Sequence, residues 1–328
     1  MYVGKVFRFR ILWHFARKNL FRTMLVSIWA VILYKGFKFE WMAIPFLPVG
    51  TIGTAVAFFV GFKNNQAYDR LWEARRIWGG ITNTSRSLAV MLNACIADKQ
   101  VVRDILMRHI AWVNILRLQL RRNIPWATSA EHLHQDFVGS SNELQAFDDG
   151  LKAILTENGK MAYYESLRKA GNTASILLKV QTEHLHKLKS EGKITEFEHS
   201  DLVRQITELF NHQGGCERIK TTPLFRQYSI FSRVFVVLFI FLLPFGLIRD
   251  LDKLGHFGAL LVIPFSMLIS WVFFTMEQIG EFSENPFDNS VNDIPISTIC
   301  RNIEVDIKEL LGDENLPARL QPVNDILL

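Results

Sequence analysis

Two copies of the tetrapeptide Glu-His-Leu-His, at Glu131–His134 and Glu183–His186, are the most conspicuous candidates for chemistry in this 328-residue chain. Each offers a carboxylate and two imidazoles, a donor set that suits zinc. Residues two apart on a helix point to different faces, so neither copy is a ready chelate, and neither has the His-Glu-x-x-His spacing of a zinc hydrolase. Glu73 sits among Arg70, Arg75 and Arg76, which reads as ion pairing on a helix surface or between subunits rather than as acid–base catalysis. Asp288 and Asp293 flank Asn289, Ser290, Val291 and Asn292. Two carboxylates fall short of the roughly six to eight oxygens that Ca²⁺ gathers, so they are expected to cap the turn or the next helix. Cys95, Cys216 and Cys300 form no Cys-x-x-Cys pair, which suggests neither a disulfide framework nor a zinc ribbon and suits a reducing compartment. No nucleophile elbow, phosphate-binding loop or dinucleotide fingerprint is present. The residues predict no enzyme, no cofactor and no metal.

Another group of residues points to physical rather than covalent chemistry. Thr54, Phe58 and Phe62 are spaced i, i+4, i+8 and share one stripe of a helix. Stacked around an axis, rings of apolar side chains close a pore by expelling water from it. On spacing alone, packing against lipid or other helices is the commoner cause of such a stripe.

The elements that would position this stripe are legible in the charge pattern. Trp41 to Phe62 carries no charge, and about 20 helical residues at ~1.5 Å each match a ~30 Å hydrocarbon core. Lys63, Asn64, Asn65, Asp69, Arg70, Glu73, Arg75 and Arg76 follow at once, and nothing after Pro48 interrupts the helical pattern. One helix is therefore predicted to start in lipid and continue into water. Gly50, Gly53 and Gly61 on it invite close helix approach. Thr23 to Tyr34 is short for a span, with Arg22 and Lys35 placed to snorkel at its ends, and Lys35 to Glu40 then forms a turn. A second hairpin comprises Val234–Ile248 and Phe257–Met276, joined by Arg249–His256; its first arm reaches full length only if it begins near Tyr228 and carries Arg233 at the interface.

Between the hairpins no run is long enough to span. Apolar residues recur three and four apart over Ile77–Ala97, Val101–Arg122, Leu144–Asn158, Met161–Ser190 and Thr195–Ile219, with Pro125, Gly139 and Gly192 as punctuation. Cys300 to Leu311 reads as an amphipathic helix ended by Gly312. The composition agrees: 49% hydrophobic residues with 26 Phe are rich for a soluble protein, and 21% charged residues are too many for one wholly in lipid. The net charge of +5 is explained by Lys and Arg flanking the spans, not by nucleic acid. The N-terminus, with Lys5, Arg8, Arg10, Arg17, Lys18 and Arg22, is no secretory signal and suits a cytosolic membrane surface. Counting cations on either side puts both termini and the middle region in the cytosol.

Three runs carry a family resemblance. GFKNNQAYDRLWEARRIWGG (Gly61–Gly80), GCERIKTTP (Gly215–Pro223) and ENPFDNSVNDIPI (Glu284–Ile296) occur in an order that resembles the bestrophins, the bacterial members above all. The resemblance implies an all-helical protomer, a homopentamer around a central pore, and a membrane neck at Thr54, Phe58 and Phe62. Thr54 departs from the pattern, being polar where an apolar residue is common. A second, cytosolic constriction is implied on the helix before Cys216, with Leu202 as the candidate. The family includes anion channels, and bacterial members that conduct monovalent cations, so the resemblance leaves selectivity open. Animal members clasp Ca²⁺ with a near-continuous acidic run after Asn-Pro-Phe, which this chain lacks.

The expectation is thus an all-α membrane protein with four transmembrane helices and a cytosolic helical bundle. Its parts are a cytosolic segment 1–22, a hairpin 23–62 with the pore helix, a cytosolic domain 63–226, a second hairpin 227–276 and a cytosolic segment 277–328. Its partners are further copies of itself, the bilayer of a bacterial inner membrane and small monovalent ions, chloride or alternatively sodium, with no nucleic acid. A membrane scaffold or lipid-handling protein without channel activity is the remaining alternative; an embedded enzyme would want ionisable groups within the spans, and Trp41–Phe62 and Phe257–Met276 have none.

Overall fold

The computed structural model describes residues 1–4, 9–122, 143–255, 257–290, 292–323 and 325–327, with side chains except at 9–16 and 143–146. The Glu131–His134 tetrapeptide, Pro125, Gly139 and Val291 lie outside the described residues, as does the cation run at Lys5 and Arg8. Among the described residues the chain is helical, with isolated bridges of Tyr2 and Val323 to Ile326. It divides into two compact units. One comprises Met1–Val3, Arg70–Pro223 and Asn285–Leu328; the other comprises Gly4–Asp69 and Leu224–Glu284.

The first unit holds α3 (Lys99–Leu120), α4 (Glu143–Glu157), α5 (Tyr164–Arg168), α6 (Thr173–Ser190), α7 (Glu196–Thr221) and α10 (Ile296–Leu310). It also holds the later part of α2 (Phe46–Cys95). Local signals set the boundaries. Asp98 accepts from the backbone N–H of Gln100 and Val101 at the start of α3. Thr195 and Glu198 form a reciprocal capping box on α7. Gly312, at φ +77°, follows α10 as the sequence predicts. The run Met161–Ser190 is not one helix. It breaks into a short 3₁₀ turn (Met161–Tyr163), α5 and α6, because the Asn172 side chain accepts from the Ser175 N–H at 3.1 Å and starts α6 afresh. The core of this unit is a single apolar cluster in which Trp78 and Trp112 have no exposed surface. Its buried polar groups serve one another: Trp112 Nε1 donates to Gln213 Oε1 at 3.1 Å, and Gln213 Nε2 donates to Ser175 Oγ and Glu217 Oε1, both at 2.8 Å.

The second unit holds α1 (Phe9–Val31), the earlier part of α2, α8 (Arg226–Asp252) and α9 (Val262–Phe282). Here α1 packs on α9 and α8, and α8 on α9. Helix α1 starts well before Thr23 and runs into one wide π turn, Ile32–Gly36. Helix α8 begins at Arg226, which supplies the length that Val234–Ile248 lacks, and it carries Pro244 internally. Among the described residues three helical stretches are long and apolar enough to cross a bilayer: Glu40–Cys95, Arg226–Asp252 and Gly258–Phe282.

Candidate functional site

Helix α2 is one uninterrupted helix of 50 residues, as expected for a helix that leaves lipid without breaking. Within the second unit its two faces differ. Val49, Gly53, Val56, Val60, Lys63 and Ala67 are buried at intervals of three and four. Val49, Val56 and Val60 pack against Val236, Phe239, Ile240 and Leu243 of α8. Thr54, Phe58 and Phe62 lie on another side and are exposed, Phe58 by 66% and Phe62 by 59%. The structure thus brings the three predicted residues onto one unpartnered stripe. Thr54 Oγ1 donates to the Gly50 carbonyl at 3.0 Å, so its hydroxyl proton is used within the helix and the oxygen keeps only acceptor capacity.

Three contacts fix the rotation of this helix. Phe59, adjacent to the stripe, turns inward: its ring stacks on Tyr228 at 4.5 Å and meets Phe235 edge-on at 5.5 Å. Tyr228 Oη donates to the Phe59 carbonyl at 3.3 Å. Gly53 allows α8 to approach, since a Cβ there would lie 2.6 Å from the Phe239 ring. Gly61 has open space around it, so within this chain it serves no close approach.

The third contact is the one that sequence reading misses. Lys63 Nζ meets Glu277 Oε1 of α9 at 2.7 Å, with side chains only 1% and 5% exposed. Next to it, Asn64 Nδ2 donates to the Met276 carbonyl at 3.0 Å. Gly280 leaves the room for Asn64 that any side chain would fill. A desolvated ion pair of this kind is costly to halve, because the charge left behind is buried alone. It ties the α2 stripe to a defined rotation against α9.

The remaining candidates resolve into structural roles. Leu202 is fully buried in the core of the first unit, on the same side of α7 as Ile206 and Leu209. A leucine without accessible surface cannot narrow an aqueous passage, so no constriction is assigned to it. Glu73 pairs with Arg218, and Arg70 donates to the Ile219 carbonyl. Asp288 does not cap: it pairs with Lys220 at 2.6 Å. Asp293 does cap its turn, accepting from the backbone N–H and the hydroxyl of Ser290; burial pushes its carboxyl up to about 6.

In the second Glu-His-Leu-His copy, His184 Nδ1 accepts from Arg108 Nη1 at 3.2 Å, and burial with that guanidinium holds the imidazole below its usual pKa. His186 lies ring-to-ring with His199 at 5.8 Å. Among the described residues no three His, Cys, Asp or Glu side chains converge on a metal position. Burial raises the thiols of Cys216 and Cys300, the latter to about 11, so neither is a ready nucleophile.

His109 and Ser85 lie within hydrogen-bond reach at 2.8 Å, a pair that superficially suggests nucleophilic catalysis. The Ser85 hydroxyl donates to Ile81, so His109 Nε2 must be the donor and Nδ1 the bare nitrogen. Full burial pushes that imidazole down to about 3. A buried serine that receives a proton rather than giving one is no nucleophile.

Comparison with known proteins gives one family. A family model described as Bacterial/Fungal Bestrophin protein matches residues 3–309. "Voltage-dependent anion channel-forming protein YneE" of Salmonella typhi is 27% identical over 304 residues, covering 93% of this chain and 89% of the relative. A protein described as voltage-dependent anion channel-forming from Ralstonia nicotianae is 31% identical over 272 residues, covering 82% of this chain and 78% of its own length. The crystal structure of a bacterial bestrophin homolog from Klebsiella pneumoniae matches with a TM-score of 0.75 at 26% identity, covering 90% of this chain and 98% of that one.

Proposed function

The chain belongs to the bacterial and fungal bestrophin family, and on that premise we propose that it is a membrane channel for small monovalent anions rather than an enzyme. The observation that carries the reading is the exposed stripe of Thr54, Phe58 and Phe62 on a helix whose other side is locked to α8 and α9. One stripe encloses nothing, so the reading requires symmetric copies around an axis; the number five comes from the family. In this reading Phe58 and Phe62 form the neck, dewetting it, and Thr54 is a wetter ring one turn away. Residues 23–62 and 227–276 are the two membrane hairpins, α1 supplying the fourth span. Residues 1–22, 63–226 and 277–328 lie in the cytosol of a bacterial inner membrane. The anion assignment is supported by the names of the relatives, which describe those proteins as anion channel-forming.

Flux from liposomes holding the purified protein tests conduction, and its mass in detergent tests assembly; a monomer that passes no ions sinks the reading and leaves a scaffold. Phe58→Ala and Phe62→Ala each raise the current, while Thr54→Ala changes it little. One observation favours a cation path instead: the exposed Thr54 spends its hydroxyl proton inside the helix and keeps only acceptor capacity for a passing ion. Reversal potentials in asymmetric NaCl decide, with a potential near the sodium equilibrium value overturning the anion assignment.

A further inference from the structure

A groove in the second unit has an amphipathic lining that the channel reading does not use. It lies between α1, α8 and α9 and encloses about 230 Å³. One wall is apolar, formed by Val26, Val237, Phe241 and Phe274. The polar lining includes Asn19, Thr23, Arg22, Arg233, Gln278, Glu277 and Glu281. Thr23 donates to the Asn19 carbonyl at 3.0 Å and Glu277 is neutralised by Lys63 at 2.7 Å, which leaves two guanidinium groups, one carboxylate and two amides to meet a ligand. Arg22 is exposed and has no carboxylate partner among the described residues. Arg233 reaches Glu281 only at 3.5 Å and is 64% exposed. These are not groups spent on folding.

We propose that this groove binds a membrane phospholipid with a zwitterionic, ammonium-bearing headgroup. Two arginines at one position match a phosphodiester, which guanidinium groups hold through paired hydrogen bonds. Glu281 and the Gln278 amide oxygen accept from a neighbouring ammonium. Val237, Phe241 and Phe274 provide the side along which an acyl chain lies. The apolar wall commits the site to lipid rather than to free phosphate, because a small anion leaves that wall wet. Both α8 and α9 are apolar enough to cross a bilayer, so the groove opens where phospholipid is abundant. Glu281 sets the headgroup preference, since it attracts an ammonium and repels a headgroup whose only charge is negative.

The test is native mass spectrometry of the purified full chain, offered phosphatidylethanolamine and phosphatidylglycerol of identical acyl chains at equal concentration. Wild-type protein retains the ethanolamine lipid in preference. Arg22→Ala with Arg233→Ala lowers that retention by about tenfold, as expected for the loss of charge-assisted contacts. Glu281→Gln keeps retention and removes the preference. Arg22→Ala alone, at an exposed position, gives a graded loss and stands in if the double variant misfolds. Soluble glycerophosphoethanolamine, which lacks the chains, does not displace the lipid. Equal retention of the two lipids by wild type, or unchanged retention in the arginine variants, overturns the proposal. The readout is bound lipid, so it stands or falls apart from whether the protein conducts.

Discussion

The two compact units place the same kinds of side chain on opposite sides. In the first, Trp78 and Trp112 are fully buried in one continuous core, and exposed apolar residues such as Phe197 and Phe210 are scattered. In the second, the apolar clusters are small, and Trp41, Leu47, Phe58, Phe231, Phe265 and Leu268 point outward. Both interiors bury charge: the first unit buries Arg108 beside Asp104 and joins Gln213 to the Glu217 carboxylate, and the second buries both Lys63 and Glu277 in one ion pair. Its inter-helix surfaces also bury Ser232, Ser266 and Ser270, small residues that let helices approach. The difference teaches that each unit is folded against its own solvent. One excludes water from its centre; the other has smaller apolar clusters and, among the described residues, is held by close packing together with the desolvated Lys63–Glu277 pair.

The largest test of that contrast is to halve the pair. Lys63→Met or Glu277→Met alone is expected to destabilise the protein by about 3–5 kcal/mol, while the double substitution recovers most of the loss. Denaturant-induced unfolding in detergent measures this; equal stability of singles and double would show that the pair is dispensable. A smaller effect belongs to the first unit. His109, whose pKa falls from 6.5 to about 3 on folding, contributes stability that is complete above pH 6.5 and is lost as pH drops below it. Between pH 6.5 and 5 the loss amounts to about 2 kcal/mol. Unfolding curves at those two values should show it, and His109→Leu should flatten the dependence; an unchanged slope removes the imidazole from the account. The smallest expected effect sharpens the role of the outward face. Phe58→Ala should change stability by no more than about 0.5 kcal/mol, as at ordinary surface positions, while Phe239→Ala in the α2–α8 contact costs about 3–5 kcal/mol. A loss at Phe58 as large as that at Phe239 would mean that the stripe packs against a partner instead of facing a lumen.

What was legible in the sequence was whatever left a periodic trace. The charge-free run before Lys63, the continuation of α2 past Phe62 and the common face of Thr54, Phe58 and Phe62 are legible in the pattern, whereas the joining of Ile77–Ala97 to the same helix is not. Composition alone makes Lys63 the start of a polar flank; phase does not. Its phase with Val56, Val60 and Ala67 already puts it on the packed side. Leu202 carries the same lesson: with Ile206, Leu209, Gln213 and Cys216 it forms a buried stripe of α7, a signal that resemblance to other chains had obscured. The break before α6 was written in Asn172, a capping residue inside an otherwise periodic run. The partner of Lys63 was not legible at all. Glu277 lies 214 residues away, and nothing local in either helix names the other.

The ion pair has a bearing on voltage. A single charge moved across the whole bilayer exchanges about 2.3 kcal/mol with each 100 mV of membrane potential. Lys63 and Glu277 are opposite charges 2.7 Å apart, so any displacement that carries both moves no net charge. Even separated along the membrane normal by that distance, they couple to the field by about a tenth of one charge's energy over a ~30 Å core, or about 0.2 kcal/mol per 100 mV. The pair is therefore nearly blind to membrane potential while it stays closed. Both residues sit one position past Phe62 and Met276, where the proposed spans end, so even an opened pair lies at the cytosolic edge of the field and senses only a small part of it.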